Sequence, residues 1–234
     1  DHSLNSLGVD INEVEGIFHT HAHDDHFSGL TTLIRTDHRI KYYSTRLVRE
    51  SVTKKLAALM SMNEQDFEQY FEIHDLDFDI WNNIDGLEVR PIFSPHPVET
   101  NIFFFRTLWS KGYLSYAHLA DIPARDVLEG MVTEDSDAPG LSDELFEQVW
   151  EYYRVPADVK KIDIGGGLIH GKAIDFEGDD SKKIVLSHTD KPLSATEQKI
   201  GVGESFGRID VLIPGHEDYL LLYAESHLRA YYPT

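Results

Sequence analysis

Apolar positions along the chain recur at two spacings, every second residue and every third to fourth, and so predict strands and helices in alternation. Val14-Glu15-Gly16-Ile17-Phe18 reads as a short buried strand, and Phe27 to Ile34 as the start of an amphipathic helix. Arg39 to Tyr43 is the next strand. Thr45 is placed to cap a helix reaching Met60, whose apolar face carries Leu47, Val48, Val52, Leu56 and Leu59. A short helix begun by Asn63 fills Ser61 to Tyr70, and Leu76 to Trp81 reads as a half-exposed strand or sheet edge. Leu87 to Phe93 is a strand in which Pro91 requires an edge or bulge on one side. Asn101 to Trp109 and Tyr113 to Ala120 form a hairpin around Lys111-Gly112. After an acidic loop from Met131 to Gly140, Ser142 caps a helix over Asp143 to Arg154, closed by Pro156. Strands at Lys160 to Ile164 and Lys182 to Ser187 follow. A glycine-rich loop at Gly201 to Gly207, a strand at Ile209 to Ile213 and a terminal helix or extension at Tyr219 to Leu228 complete the pattern.

Size and composition narrow what this alternation can be. With 234 residues, 41% of them hydrophobic, the chain can bury one sizeable domain or two small joined layers. It has no cysteine, which excludes disulfide scaffolds and thiolate metal sites and leaves His, Asp and Glu as ligands. Lys and Arg total 21 against 41 Asp and Glu, a formal charge of −20, which disfavours long nucleic acid and anionic membrane as partners. No apolar stretch approaches the roughly 18 residues of a membrane span and no signal peptide opens the chain, so the expected location is cytoplasmic.

The chemistry concentrates at the junction between the first strand and the first helix. His21-Ala22-His23-Asp24-Asp25-His26 places three imidazoles and a carboxylate at fixed offsets, a ligand set suited to Zn²⁺, Mn²⁺ or Fe. His21 and His23 can point the same way on an extended segment and share one metal, while Asp25 and His26 follow the turn and face a second. The plainer reading is a solvated histidine-rich loop. Asp24 reads as a helix cap or an outer acceptor, and His19 falls outside the ligand set.

Three later positions fit the cluster. His96 stands between Pro95 and Pro97 after a strand, an ordinary loop residue in isolation but a third ligand for the first metal beside this cluster. Asp121 ends the second hairpin strand, where its carboxylate can bridge two cations; it can equally cap a helix starting at Ile122-Pro123. His188 ends the Lys182 to Ser187 strand and supplies an imidazole to the second metal. Gly165-Gly166-Gly167 serves either ligand contact or a tight turn, and it lacks the Gly-Lys-Ser/Thr ending of a phosphate loop. His118 and His170 each lie near one of these strand ends and are candidates for leaving-group protonation or phosphate contact; His118 reads equally as a packed histidine. His216 reads as part of a surface turn, and the aromatics near Tyr152-Tyr153 and Tyr231-Tyr232 as a route to a homo-oligomer.

Thr20-His21-Ala22-His23-Asp24-Asp25-His26, followed in order by His96, Asp121 and His188, resembles the metallo-β-lactamase superfamily over about residues 10 to 216. The resemblance implies an α/β fold, an αββα sandwich, with residues 1 to 234 as a single domain lacking its N-terminal strands. Those strands would lie in a missing N-terminal portion or on a companion chain. It implies two divalent transition-metal ions (Zn, Mn or Fe), with His21, His23 and His96 on the first, Asp25, His26 and His188 on the second, and Asp121 between them. The run from Lys182 to His188, with Ile162-Asp163-Ile164, is most similar to the phosphodiesterase and tRNA-processing nuclease branch. Bacterial proteins that pair such a domain with a cyclic-nucleotide-binding module are similar too. Ala120 stands where many relatives carry glycine. His23 stands where the oxygen- and nitric-oxide-reducing branch carries glutamate, which favours hydrolysis.

The expected activity is hydrolysis of a small phosphodiester by water activated between two cations about 3.5–4 Å apart, with Asp25 and Asp121 as catalytic as well as ligating residues. The alternative is a di-iron oxygen or redox sensor, or a non-catalytic metal-binding regulatory module.

Overall fold

A computed structural model describes residues 4, 8–135, 137–167, 169–204, 209–212 and 229–231. The expected terminal helix at Tyr219 to Leu228, and His216, lie outside them, as does Tyr232. Two sheets stack face to face with helices outside both. The smaller is parallel, in the order β1 (Gly16–Phe18), β2 (Ile40–Ser44), β3 (Phe71–Asp75). The larger runs in sequence order through β4 (Asn82–Ile84), β5 (Leu87–Phe93), β6 (Asn101–Trp109), β7 (Gly112–His118), β8 (Val159–Asp163) and β9 (Lys183–Ser187). Its first four strands are antiparallel neighbours, and β7, β8 and β9 are parallel. A separate ribbon pairs β10 (Ile209–Val211) with β11 (Arg229–Tyr231).

The side-chain period of two along each strand sorts the apolar residues into layers. Along β6, Phe103 and Phe105 turn inward to meet Val89 of β5, Tyr116 of β7 and, across the gap, Phe18 and Tyr43 of the smaller sheet. Ile102 and Phe104 turn outward under α5 (Arg125–Gly130) and α6 (Asp143–Arg154), against Leu128, Phe146 and Val149. Both faces of β6 are covered over Ile102 to Phe105, which is why those four residues are an unbroken apolar run. On the opposite side, α3 (Arg46–Met60) lays Val48, Val52 and Leu56 on Ile40, Tyr42 and Phe71 of β2 and β3. The result is the helix, sheet, sheet, helix order of the αββα sandwich.

Local details depart from the sequence pattern in ways that have causes. The helix expected from Phe27 to Ile34 is two single turns, α1 (Asp24–Phe27) and α2 (Leu30–Leu33), separated at Ser28-Gly29. Over Ser61 to Tyr70 the chain makes a 3₁₀ turn and α4 (Phe67–Tyr70), opened by a capping box between Asn63 and Asp66. Leu76 to Trp81 is not a strand. The strand lies just before it, as β3, because Phe71 and Ile73 face α3 and its neighbours. β4 follows instead, joined to β5 by Asp85-Gly86 with φ of 50° and 95°, the left-handed pair that a tight two-residue hairpin requires. Pro91 sits beyond the reach of β4, which pairs β5 only from Leu87 to Val89, so its missing N–H costs no ladder bond.

Thr45 does occupy the N-cap of α3, but its hydroxyl exchanges hydrogen bonds with Asn101 rather than with the helix. Leu47 and Leu59 are 68% and 60% exposed, off the buried face: Leu47 is rotated about 100° from Val48, and burial ends at Ala57 before the last turn. Tyr153 is wholly buried, its hydroxyl 2.6 Å from Ser94 Oγ, and Tyr152 donates to Asp79, so neither is a free surface aromatic. Among the described residues no helix is long and apolar enough to cross a membrane.

Leu56 is wholly buried at the centre of the α3 face. Leu56→Ala should therefore lower unfolding free energy by about 2–5 kcal/mol and Leu47→Ala by no more than about 0.5 kcal/mol. Urea denaturation of the two variants checks this; equal losses would mean that α3 presents a different face to the sheet.

Candidate metal centre

The loop that carries the histidines is stretched between the two sheets. His19 N–H donates to Tyr43 O of β2 at 3.0 Å, and Thr20 O accepts from Asn101 N of β6 at 2.9 Å. These bonds hold the segment extended, so His21 and His23 share a side. His23 then becomes the N-cap of α1, and the helical turn brings Asp25 and His26 round to face the same space. The remaining residues arrive from the ends of the larger sheet: His96 after β5, Asp121 after β7, Asp163 at the end of β8 and His188 after β9.

Ligand atoms of His21, His23, His96 and Asp121 lie within 4.8 Å of one another, and so do those of Asp25, His26, Asp121 and His188. Asp121 belongs to both groups, and its two oxygens divide between them. Oδ2 is 3.5 Å from His21 Nε2 and 4.0 Å from His96 Nε2; Oδ1 is 3.2 Å from His26 Nε2 and 3.6 Å from His188 Nδ1. His96 Nε2 is 3.0 Å from His23 Nδ1, and His188 Nε2 is 3.2 Å from Asp25 Oδ2. The backbone is strained here: Ala120 and His188 have φ of 46° and 65°, the left-handed region that non-glycine residues rarely enter.

The donor set fits metal. His21 is wholly buried, Thr20 Oγ1 lies 3.0 Å from its Nδ1, and its Nε2, turned into the group, has no hydrogen-bond partner. Burial lowers the pKa of His21, and that of His96 to about 4, so both are neutral imidazoles with a lone pair to give. Burial alone would raise Asp121, but the imidazoles of His21, His26 and His188 close to its oxygens prevail and hold it ionised well below the usual carboxylate range. His188 differs. Its hydrogen bond to Asp163 outweighs desolvation and raises it to about 9. Clustered in this way, the residues form two sites with one shared carboxylate, consistent with a dinuclear divalent-metal centre.

Asp163 is the residue that the sequence pattern did not single out. It is wholly buried, accepting from Gly165 N at 2.8 Å and Ile122 N at 3.3 Å. Its Oδ1 is 3.1 Å from His188 Nδ1 and its Oδ2 is 2.8 Å from His170 Nδ1, so one carboxylate orients two imidazoles whose rings stand 4.3 Å apart. The available signal was a carboxylate between Ile162 and Ile164 in a buried strand. Of the glycines behind it, Gly166 and Gly167 have φ of 73° and 85°, and a Cβ on Gly165 would stand 3.0 Å from both the His170 ring and His188 O.

Other candidates fall at the margin. His118 is outside both groups, its Nδ1 2.8 Å from Tyr116 Oη, and burial pushes its pKa well below the usual value. His19 packs against Tyr42 and Phe27, held neutral by burial at a pKa of about 3. Asp24 points away from the centre, pairing with Lys55, and caps no helix through its side chain.

Known proteins with similar sequence and shape bear on this centre. Over 68 residues, 29% of this chain, the sequence is 35% identical to the cAMP/cGMP-dependent 3′,5′-cAMP/cGMP phosphodiesterase B of Dictyostelium discoideum, of which that match covers 6%. In fold, the chain is similar to the metallo-β-lactamase fold protein YhfI of Bacillus subtilis (TM-score 0.56, 12% identity, 86% of this chain and 77% of that one). It is also similar to unliganded yeast PDE1 (TM-score 0.50, 15% identity, 83% and 65%). The family model described as anti-Pycsar protein Apyc1 matches residues 1–119, which take in the whole β1 to α1 histidine segment and His96. With half of its length matched by that model, the chain belongs to the Apyc1 family of anti-Pycsar proteins.

Proposed function

We propose that this chain is a dinuclear metal-dependent hydrolase whose substrate is a small phosphodiester, with a cyclic nucleotide as the first class to test. The division of Asp121 between the two groups carries the reading: one buried carboxylate turns an oxygen to each of two imidazole clusters. In it His21, His23 and His96 hold one cation, Asp25, His26 and His188 the other, and Asp121 joins them. All of these residues come from one domain spanning residues 1–234. The cyclic-nucleotide class is supported by the activity that the Dictyostelium relative's name states and by the formal charge of −20, which opposes long polyanions.

Two bound cations would supply an activated water near neutral pH and offset charge on the attacked phosphoryl oxygen. The chain's own part is positioning and proton transfer. Asp25, 57% exposed at its side chain and 3.2 Å from His188 Nε2, is placed at the open side of the centre to orient water. With Nδ1 held by Asp163, His170 has its Nε2 free to give a proton to the leaving oxygen, a role for which its partial exposure suits it. His118, buried and neutral, supports the sheet end through Tyr116.

Chelation and metal return test the centre directly. Elemental analysis should give close to two transition metals per chain. Metal at about 100 times its Kd should stabilise the stripped protein by about 2.7 kcal/mol, a rise in Tm of about 5–10 °C. Failure of Asp121→Asn to weaken binding of both ions would overturn the shared-carboxylate reading. Bound iron with a visible chromophore and no turnover of any diester would favour the sensor instead.

The Asp163 and His170 pair predicts a kinetic pattern. His170→Gln should lower kcat on an alkyl-leaving-group diester by about 10²–10⁴-fold and should cost much less on a p-nitrophenyl diester, whose leaving group needs no proton. Equal losses on both substrates would remove His170 from that role. Asp163→Asn should cost about 10–100-fold in activity or second-metal affinity, because the amide keeps one acceptor oxygen and so can hold only one of the two rings, without the charge.

A further inference from the structure

The segment that carries four of the proposed ligands has few anchors. Up to Thr20 it is tied to β2 and β6 through backbone hydrogen bonds. Beyond that point it enters α1, a helix of four residues whose N-cap, His23, makes no side-chain cap bond. Apart from the contacts that the candidate ligands themselves make with His96, Asp121 and His188, and the packing of Phe27 in the core, the side chain that reaches this stretch from another element among the described residues is Lys55, on the third turn of α3. Its ammonium donates to Ala22 O at 2.5 Å and to Asp24 Oδ1 at 2.5 Å, and it sits 4.6 Å from the centre of the Phe27 ring.

These three contacts interleave with the ligands. Ala22 lies between His21 and His23, Asp24 between His23 and Asp25, and Phe27 directly follows His26. Fixing the Ala22 carbonyl sets the peptide between the first two imidazoles, and fixing the Asp24 carboxylate sets the first turn of α1, from which Asp25 and His26 project. Charge-assisted hydrogen bonds are the stronger kind, and two from one ammonium to backbone and carboxylate limit rotation about the segment. Meanwhile the neighbours Val52 and Leu56 of α3 are wholly buried on β2 and β3, so the ammonium is carried on a rigid support.

We propose that Lys55 is a positioning residue for the metal centre: it holds the His21 to His26 segment in its ligating geometry from α3, without touching a metal or substrate. This rests on the dinuclear reading above. The core does not need the ammonium: the side chain is 32% exposed and opens on a surface groove of about 520 Å³, lined also by Ser28, Thr31, Ala58 and Leu59. Its loss would leave no sealed cavity, and the fold and the metal geometry should separate when it is changed.

The test uses the full chain, stripped by chelator and titrated with Zn²⁺ against a competing chromophoric chelator, with the Tm of the stripped protein measured alongside. Lys55→Met keeps the stem over Phe27 and removes the charge. It should weaken Zn²⁺ binding by about 10–100-fold while shifting the metal-free Tm by no more than about 2 °C. Lys55→Arg, which restores a cationic donor, should recover most of the affinity. Lys55→Gln, neutral and shorter, should show the same loss as Lys55→Met, which keeps the test open if that variant does not fold. Asp24→Asn, which leaves the Ala22 bond in place, should cost less than Lys55→Met. Wild-type affinity in the Met and Gln variants would overturn the role, as would a fall in metal-free Tm that accounts for the whole loss. If the wild-type chain itself binds no Zn²⁺, the dinuclear reading falls first and the positioning role with it.

Discussion

A carboxylate that is 2% exposed has to be held ionised, and the arrangement around Asp121 is organised by that requirement. Removing an unpaired carboxylate from water is costly enough that the group ordinarily takes up a proton instead. Here four imidazoles from three parts of the chain surround its oxygens, and the balance goes to the charged form. The backbone strain at Ala120 belongs to the same arrangement, since a left-handed residue just before Asp121 turns the chain out of β7 and into the space between the sheets.

Two sheets are needed to build this centre. The smaller sheet delivers His21 to His26 from the end of β1, and the larger delivers His96, Asp121, Asp163 and His188 from the ends of β5, β7, β8 and β9. The aromatic layer of Phe18, Tyr43, Phe103 and Phe105 sets the separation of the sheets, and hence the distance between the two ligand sources. Stability and site geometry are therefore coupled through that layer more directly than through the outer helices.

Much of the centre was legible because its chemistry lies in residue types that packing does not explain: three histidines in six positions, a histidine between prolines, and an aspartate and a histidine at strand ends. Asp163 was hidden because a carboxylate in an apolar strand has no special spacing, and its meaning depends on His170 and His188 arriving beside it. Lys55 was hidden for a related reason. On its own helix it is one of two adjacent lysines, and only the tertiary approach of Ala22 and Asp24 distinguishes it from Lys54. In the fold, β4 carried a readable signal in Asp85-Gly86, whereas β3 offers an alternation of only two apolar positions, Phe71 and Ile73, directly after the Ser61 to Tyr70 helical stretch. Apolar character alone also misplaced Leu47 and Leu59, because a helix face is defined by what lies opposite it and α3 extends past its sheet.

The two halves of the centre are not electrostatically equal, although they share Asp121. His21 and His96 are neutral because they are buried, and nothing has to be removed from them before a cation can bind. On the other half, His188 is held protonated up to a pKa of about 9 by its hydrogen bond to Asp163, with Asp121 and Asp25 adding to the effect. An imidazole gives its lone pair to a metal only without that proton, so a cation held by the second group would take over the role that the proton has among the same three carboxylates. Asp163 thus does two things at His188: it fixes the orientation of the ring, and it stabilises the ring's positive charge. The same carboxylate orients His170, which places the proposed proton donor beside the half of the centre whose charge balance already depends on a proton.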